Sequence, residues 1–127
     1  MACLNRRPSV LIVEDDMLVA LSMASFLQDE CDAETHVARS VALAESAPLD
    51  LVDFAFLDVN VIDGDTYRLA RRLCRAHVPF VFVSASNPAN VPGDLREARF
   101  LAKPCPADAI AGALKSSLER ARQIQLA

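Results

Sequence analysis

The chain has little of what several functional classes require. Three glycines in 127 residues are too few for most phosphate-cradling loops, and no GxxxxGK[ST] is present. There is no tryptophan and only 6% aromatic residues, which suits a core packed from Ala, Leu and Val. No apolar run approaches the roughly 20 residues of a bilayer span, since even "MLVALSMASFL" is broken by serines. The N-terminus "MACLNRRPSVLIVEDD" places acids too soon after its apolar stretch for a secretory leader, so a cytoplasmic location is expected. Cys3, Cys31, Cys74 and Cys105 form no CxxC pair and are expected to be plain reduced thiols. The net charge of −4, with basic residues scattered, argues against direct nucleic-acid binding. The densest basic group, "RLARRLCRAH", reads as the solvated face of a helix. His36 and His77 read as a strand residue and a helix-end residue rather than ligands.

What is present is a pattern of apolar runs alternating with helical segments, in a length that suits one domain. "SVLIVE", "AETHVA", "DFAFLD", "VPFVFVSA" and "RFLAKP" read as strands, with the first, third and fourth strongly buried. Between them, "DMLVALSMASFLQDE", "SVALAESA" and "DTYRLARRLCRAH" read as helices, and "PADAIAGALKSSLERARQIQ" as the last helix. Val19, Met23, Phe26 and Leu27 form the expected inner stripe of the first helix. Ile110, Ala113, Leu114, Leu118 and Ala121 are expected to face inward from the last. "SNPANVPGDLREA" carries Pro88, Pro92 and Gly93 and leaves room for only one or two helical turns. Consecutive apolar positions imply a sheet covered on both faces, and alternation with helices makes it parallel. The expected fold is a doubly wound α/β domain, with ligands at the carboxyl ends of its strands.

Those ends carry the chemistry. The first strand ends in Glu14, Asp15 and Asp16, the third in Asp58, the fourth in Ser84, and the last in Lys103 before Pro104. A parallel sheet brings them to one edge. Clustered carboxylates repel and call for a hard cation or raised pKa values. Magnesium suits an all-oxygen site that keeps several waters. A carboxylate beside such a metal can act as a nucleophile toward phosphorus, with a lysine and a hydroxyl for the phosphoryl oxygens. Asp63 and Asp65, around Gly64, read as turn and cap residues. Asp65 or Thr66 is expected to cap the following helix, and Asp16 is either a spare acid of the site or the cap of the first helix.

"VLIVEDD", "FLDVNVIDGD", "VFVSA" and "FLAKP", in this order, resemble the receiver domain of two-component response regulators, from Val10 to the last helix. The resemblance implies a flavodoxin-like fold, a five-stranded parallel sheet in the order 2-1-3-4-5 with helices on both faces. It implies that Asp58 is the phosphoacceptor, charged by a sensor histidine kinase or a histidine phosphotransfer protein. Glu14 and Asp15 match the acidic pair that holds Mg²⁺, Asp15 directly and Glu14 through water. Asp58 completes the metal site with the backbone carbonyl of Asn60. Ser84 matches the switch hydroxyl, Lys103 the lysine that contacts the phosphoryl group, and Phe100 the aromatic switch residue. The Lys103–Pro104 bond is expected to be cis. Asn60 and Ser86 match positions that tune hydrolysis.

The expected product is a single receiver domain over residues 1–127 with no output domain and no membrane role. It would accept and slowly hydrolyse its own aspartyl phosphate without being a turnover enzyme. Output would run through an unknown downstream protein, onward phosphotransfer or a dimer formed on phosphorylation. Two other readings stay open: a pseudo-receiver that only binds partners, and an aspartyl-phosphate phosphatase or phosphotransferase. The latter would want an acid two residues past the nucleophile, where Asn60 stands. The departures are a short or irregular fourth helix and a Phe100 without the hydroxyl of Tyr. Leu18 and Leu21 are expected to be core, or else a docking patch for the phosphodonor beside the active edge.

Overall fold

The computed structural model describes residues 7–126. β1 (Ser9–Val13) leads through α1 (Met17–Cys31), β2 (Glu34–Ala38) and α2 (Val41–Glu45) to β3 (Phe54–Leu57). A small antiparallel ribbon, β4 (Asn60–Val61) and β5 (Gly64–Asp65), precedes α3 (Tyr67–Arg75). β6 (Phe80–Ser84), β7 (Arg99–Ala102) and α4 (Ala107–Leu126) follow. The main sheet is five-stranded and parallel, in the order β2-β1-β3-β6-β7. Counting only its own strands, this is the expected 2-1-3-4-5.

The pleat sorts the apolar runs into two cores. Val10 and Ile12 of β1, Phe54 and Phe56 of β3, and Val81 and Val83 of β6 face α1 and α4. Leu11, Val13, Ala55, Leu57 and Phe82 face the layer of α2 and α3. Successive strand side chains point to opposite faces, so a run apolar at every position is what a sheet covered on both sides needs. On the α1 side, the Phe54 and Phe56 rings meet edge to face at 5.0 Å. α1 meets this layer with Ala20, Met23, Ala24 and Leu27. Val19 and Phe26 of the expected stripe are only half-buried.

Two packing expectations change. Leu18 and Leu21 are not core: Leu18 is 81% and Leu21 55% exposed, because Ala20 and Ala24 take the inward positions. Ala121 is exposed, as α4 runs on past the last turn that meets the sheet. Cys74 is also exposed, while Leu69, Ala70 and Leu73 carry the buried face of α3. Cys31, Cys74 and Cys105 are free thiols, as expected; Cys3 lies outside the described residues.

Between β6 and β7 two short 3-10 turns, Pro88–Asn90 and Gly93–Leu95, replace a regular helix. Pro92 has no N–H to donate, and Val91 before it is extended (φ −68°, ψ 134°), which stops a helix there. Side chains hold this connection together. Arg96 donates to the carbonyls of Val91 (2.6 Å) and Ala89 (2.8 Å), and Arg71 of α3 makes a two-point ion pair with Asp94.

Gly64 has φ +137°, in a region that L side chains rarely adopt. An added Cβ would meet nothing within 4 Å, so only the backbone resists substitution. Gly64→Ala is expected to lower stability by about 1–3 kcal/mol. Gly112→Ala, inside α4 with open space around it, is expected to raise stability by about 0.5–1 kcal/mol. Urea unfolding of the two variants checks this. Equal effects, or the reverse order, would contradict it.

Candidate functional site

Glu14, Asp58 and Lys103 each stand one step past a strand, the amide pinned by the neighbouring strand, and Ser84 is the last residue of its own. The Glu14 N–H donates to the Ala38 carbonyl (3.0 Å), that of Asp58 to Val13 (2.9 Å), and that of Lys103 to Ser84 (3.0 Å). The topology therefore fixes these residues at one edge before any side chain interacts. The Lys103–Pro104 bond is cis, as expected.

The side chains converge on one ammonium. Lys103 Nζ donates to Glu14 Oε1 at 2.5 Å and to Asp58 Oδ2 at 2.9 Å. Glu14 is 3% exposed, and its other oxygen accepts from the Asp16 amide at 3.1 Å. Burial pushes the Glu14 carboxyl above the ordinary carboxylate range. The Lys103 and Asp16 hydrogen bonds offset only part of that rise, and the Asp58 charge adds to it. For Lys103, burial alone would depress the ammonium. Its hydrogen bonds to both carboxylates, with their charges, outweigh burial and raise its pKa.

The three acids of "EDD" divide by role. Glu14 turns inward to Lys103, Asp15 is exposed at the edge, and Asp16 caps α1 by accepting from the Leu18 and Val19 amides. Glu14, Asp15 and Asp58 bring one carboxylate oxygen each to within 4.8 Å of one another. This all-oxygen cluster, buried at Glu14 and open at Asp15, fits a hard divalent cation that keeps water ligands. Asn60, two residues past Asp58, begins β4 and donates through its side-chain amide to Ser86 Oγ at 3.3 Å. Ser84 is buried at the end of β6, and its Oγ accepts from the Ser86 amide at 3.2 Å. The Phe100 ring is half-buried, 6.3 Å from that of Phe82, beside a void of about 30 Å³ among Pro88, Val91 and Leu95.

No protein-family model matches the sequence, and no curated protein matches it. Solved structures do. A CheY-like receiver domain protein from Methanospirillum hungatei JF-1 superposes with TM-score 0.80 at 19% identity, covering 93% of this chain and 98% of its own. A receiver domain from Methylobacillus flagellatus gives 0.74 at 26% identity, with 88% and 99% covered. The non-phosphorylated HemR receiver domain from Leptospira biflexa gives 0.75 at 23% identity, with 88% and 94% covered. The fold is that of a response regulator receiver domain.

Within this receiver fold, the residues singled out from the sequence meet at one edge, apart from Phe100, which lies on the β7 side against Phe82. Sequence reasoning missed two contacts. Asp63 is not merely a turn residue: its carboxylate accepts from the Val41 and Ala42 amides at 2.7 and 3.1 Å and so caps α2. Those bonds hold its pKa below the usual value. Thr66 does not cap α3 with its hydroxyl; it donates instead to the Asp58 carbonyl at 2.6 Å, and Asp65 accepts from the Tyr67 amide. Beside the site lies an apolar groove of about 650 Å³, lined by Leu18, Val19, Phe26, Pro104 and Cys105, with Lys103 at its wall. Among the described residues no helix is long and apolar enough to cross a membrane.

A carboxyl whose folded pKa is raised holds its proton more tightly in the folded state, so stability falls as pH rises through the window between unfolded and folded values. Ionised Glu14 thus costs stability at neutral pH, and a neutral Gln would still accept from Lys103. Glu14→Gln is expected to melt higher than the unchanged protein at pH 7 in metal-free buffer. The gap should narrow as pH falls toward the ordinary carboxyl range. Thermal melts across pH check this; a lower-melting variant at pH 7, or a gap that ignores pH, would contradict it.

Proposed function

We propose that the chain is a phosphoacceptor of a two-component system or phosphorelay, taking a phosphoryl group on Asp58 in the presence of Mg²⁺. The observation that supports this best is the Lys103 ammonium held between Glu14 and Asp58, with Lys103 itself anchored on Ser84. An Asp58 carboxylate oxygen forms an O–P bond as the N–P bond of a donor phosphohistidine breaks, and the released imidazole takes up a proton. Bound Mg²⁺ supplies charge neutralisation for the phosphoryl oxygens. Glu14, Asp15, Asp58 and the Asn60 carbonyl would hold it. Lys103 exchanges one anionic partner for another as charge moves onto the phosphoryl group. Ser84 offers its hydroxyl to the same group.

The exposed Leu18 and Leu21, with the apolar groove beside Pro104, form the surface on which a histidine kinase or histidine phosphotransfer protein would dock. Output follows from local electrostatics. A phosphoryl group brings about two negative charges, Ser84 and Lys103 turn toward it, and the β6–β7 connection repacks around Phe100. The chain hydrolyses its own phosphate and does not turn over external substrate.

Incubation with acetyl phosphate and Mg²⁺, read by intact mass, tests this. A single phosphoryl adduct is expected, absent from Asp58→Asn, and requiring more Mg²⁺ in Asp15→Asn. An unchanged mass for the native sequence, or an adduct that survives in Asp58→Asn, would overturn the proposal.

A further inference from the structure

Thr66 is fully buried, yet its hydroxyl serves no helix cap. Asp65 already receives the Tyr67 amide at 3.2 Å, so the threonine side chain is free to turn back toward the sheet. There it donates to the main-chain carbonyl of Asp58 at 2.6 Å and lies 3.4 Å from that of Val59. Its own amide donates to the Val59 carbonyl at 2.9 Å. Asp58 is therefore held at both polar main-chain atoms: its N–H by Val13 of β1, its C=O by Thr66.

The same contacts close a ribbon. The chain leaves Asp58, pairs Asn60 with Asp65 and Val61 with Gly64, and returns to Thr66. Thr66 joins the two ends of this ribbon at its base. Both the Asp58 carboxylate and the Asn60 main chain stand on the frame that its hydroxyl fixes.

We infer that Thr66 is a positioning residue for the Asp58 site, orienting the acceptor carboxylate and the adjoining metal-binding main chain through its hydroxyl bond to the Asp58 carbonyl. This rests on the phosphoacceptor reading above. A side chain that reacts in line with phosphorus tolerates little displacement, because effective concentration falls steeply when the approach is misaligned. Valine keeps the volume of threonine but removes the donor, serine keeps the donor but loses the methyl, and alanine loses both.

The test compares these three substitutions at position 66 with the unchanged chain. It measures phosphorylation rate from acetyl phosphate per folded molecule, and Mg²⁺ affinity by titration. Thr66→Ser is expected to stay near the native rate, whereas Thr66→Val and Thr66→Ala slow about tenfold, as misplacement predicts, and bind Mg²⁺ more weakly. If Thr66→Val does not fold, the Ser and Ala pair isolates the hydroxyl. A folded Val or Ala variant that matches Ser in rate and Mg²⁺ affinity would overturn the inference and leave the phosphoacceptor reading standing. If the unchanged chain takes no phosphoryl group, that reading fails, and the Mg²⁺ affinities of the same variants still decide the role of Thr66.

Discussion

One ammonium between two carboxylates is the interaction on which the rest of this structure depends. Lys103 meets Glu14 across 89 residues of sequence and Asp58 across 45. Three acidic side chains with oxygens within 4.8 Å of one another are a repulsive arrangement. One of them, Glu14, is removed from water as well. Without an internal cation, that edge would favour protonation of Glu14 or opening of the strand ends. Burial, more than the Asp58 charge, keeps the Glu14 pKa raised despite the Lys103 hydrogen bond. Holding Glu14 out of water is thus an unfavourable arrangement kept in reserve, the usual cost of a functional cluster.

The sheet exists in the form that makes this meeting possible. β1 and β3 are neighbours, β3 and β6 are neighbours, and β7 pairs with β6. Glu14, Asp58 and Lys103 therefore stand along the same edge, each amide held by the adjacent strand. The apolar layers on either side have a single task in this respect, which is to keep the strand ends from sliding. A one-residue slip would reverse every inward side chain, so the register is held by both cores at once. Positional precision at the edge comes from hydrophobic burial some distance away.

Much of this was legible in the sequence, for reasons that differ by feature. The strands β1, β3 and β6 are apolar at consecutive positions and announce a doubly covered parallel sheet. Their terminal acids, hydroxyl and lysine then fall on one edge by topology alone. Pro92 and Gly93 made the irregular β6–β7 connection readable, because a proline without an amide breaks a helix anywhere past its first turn. The helix faces were harder. Ala20 and Ala24 carry no stronger signal than Leu18 and Leu21, yet the alanines face the Phe54 and Phe56 layer and the leucines face solvent. Size complementarity decides that choice, and it needs the partner surface. The Thr66 and Asp63 contacts were hidden for a related reason. A short polar side chain at a turn has several local partners to choose from. Only the folded chain shows that Asp63 reaches α2 and that Thr66 reaches back to Asp58.

On the proposed reading Lys103 is the mobile counter-charge of the site, shared between Glu14 and Asp58 at rest and drawn to a phosphoryl-like group when one arrives. Side-chain nitrogen NMR of lysine-labelled protein, with the Lys103 signal assigned through its loss in Lys103→Arg, reads that partner directly. Addition of Mg²⁺ and beryllofluoride is predicted to shift the Lys103 Nζ resonance to a new saturating position, while Lys115 remains where it was. A Lys103 resonance that stays in place as the fluoride saturates the Asp58 site would contradict the account.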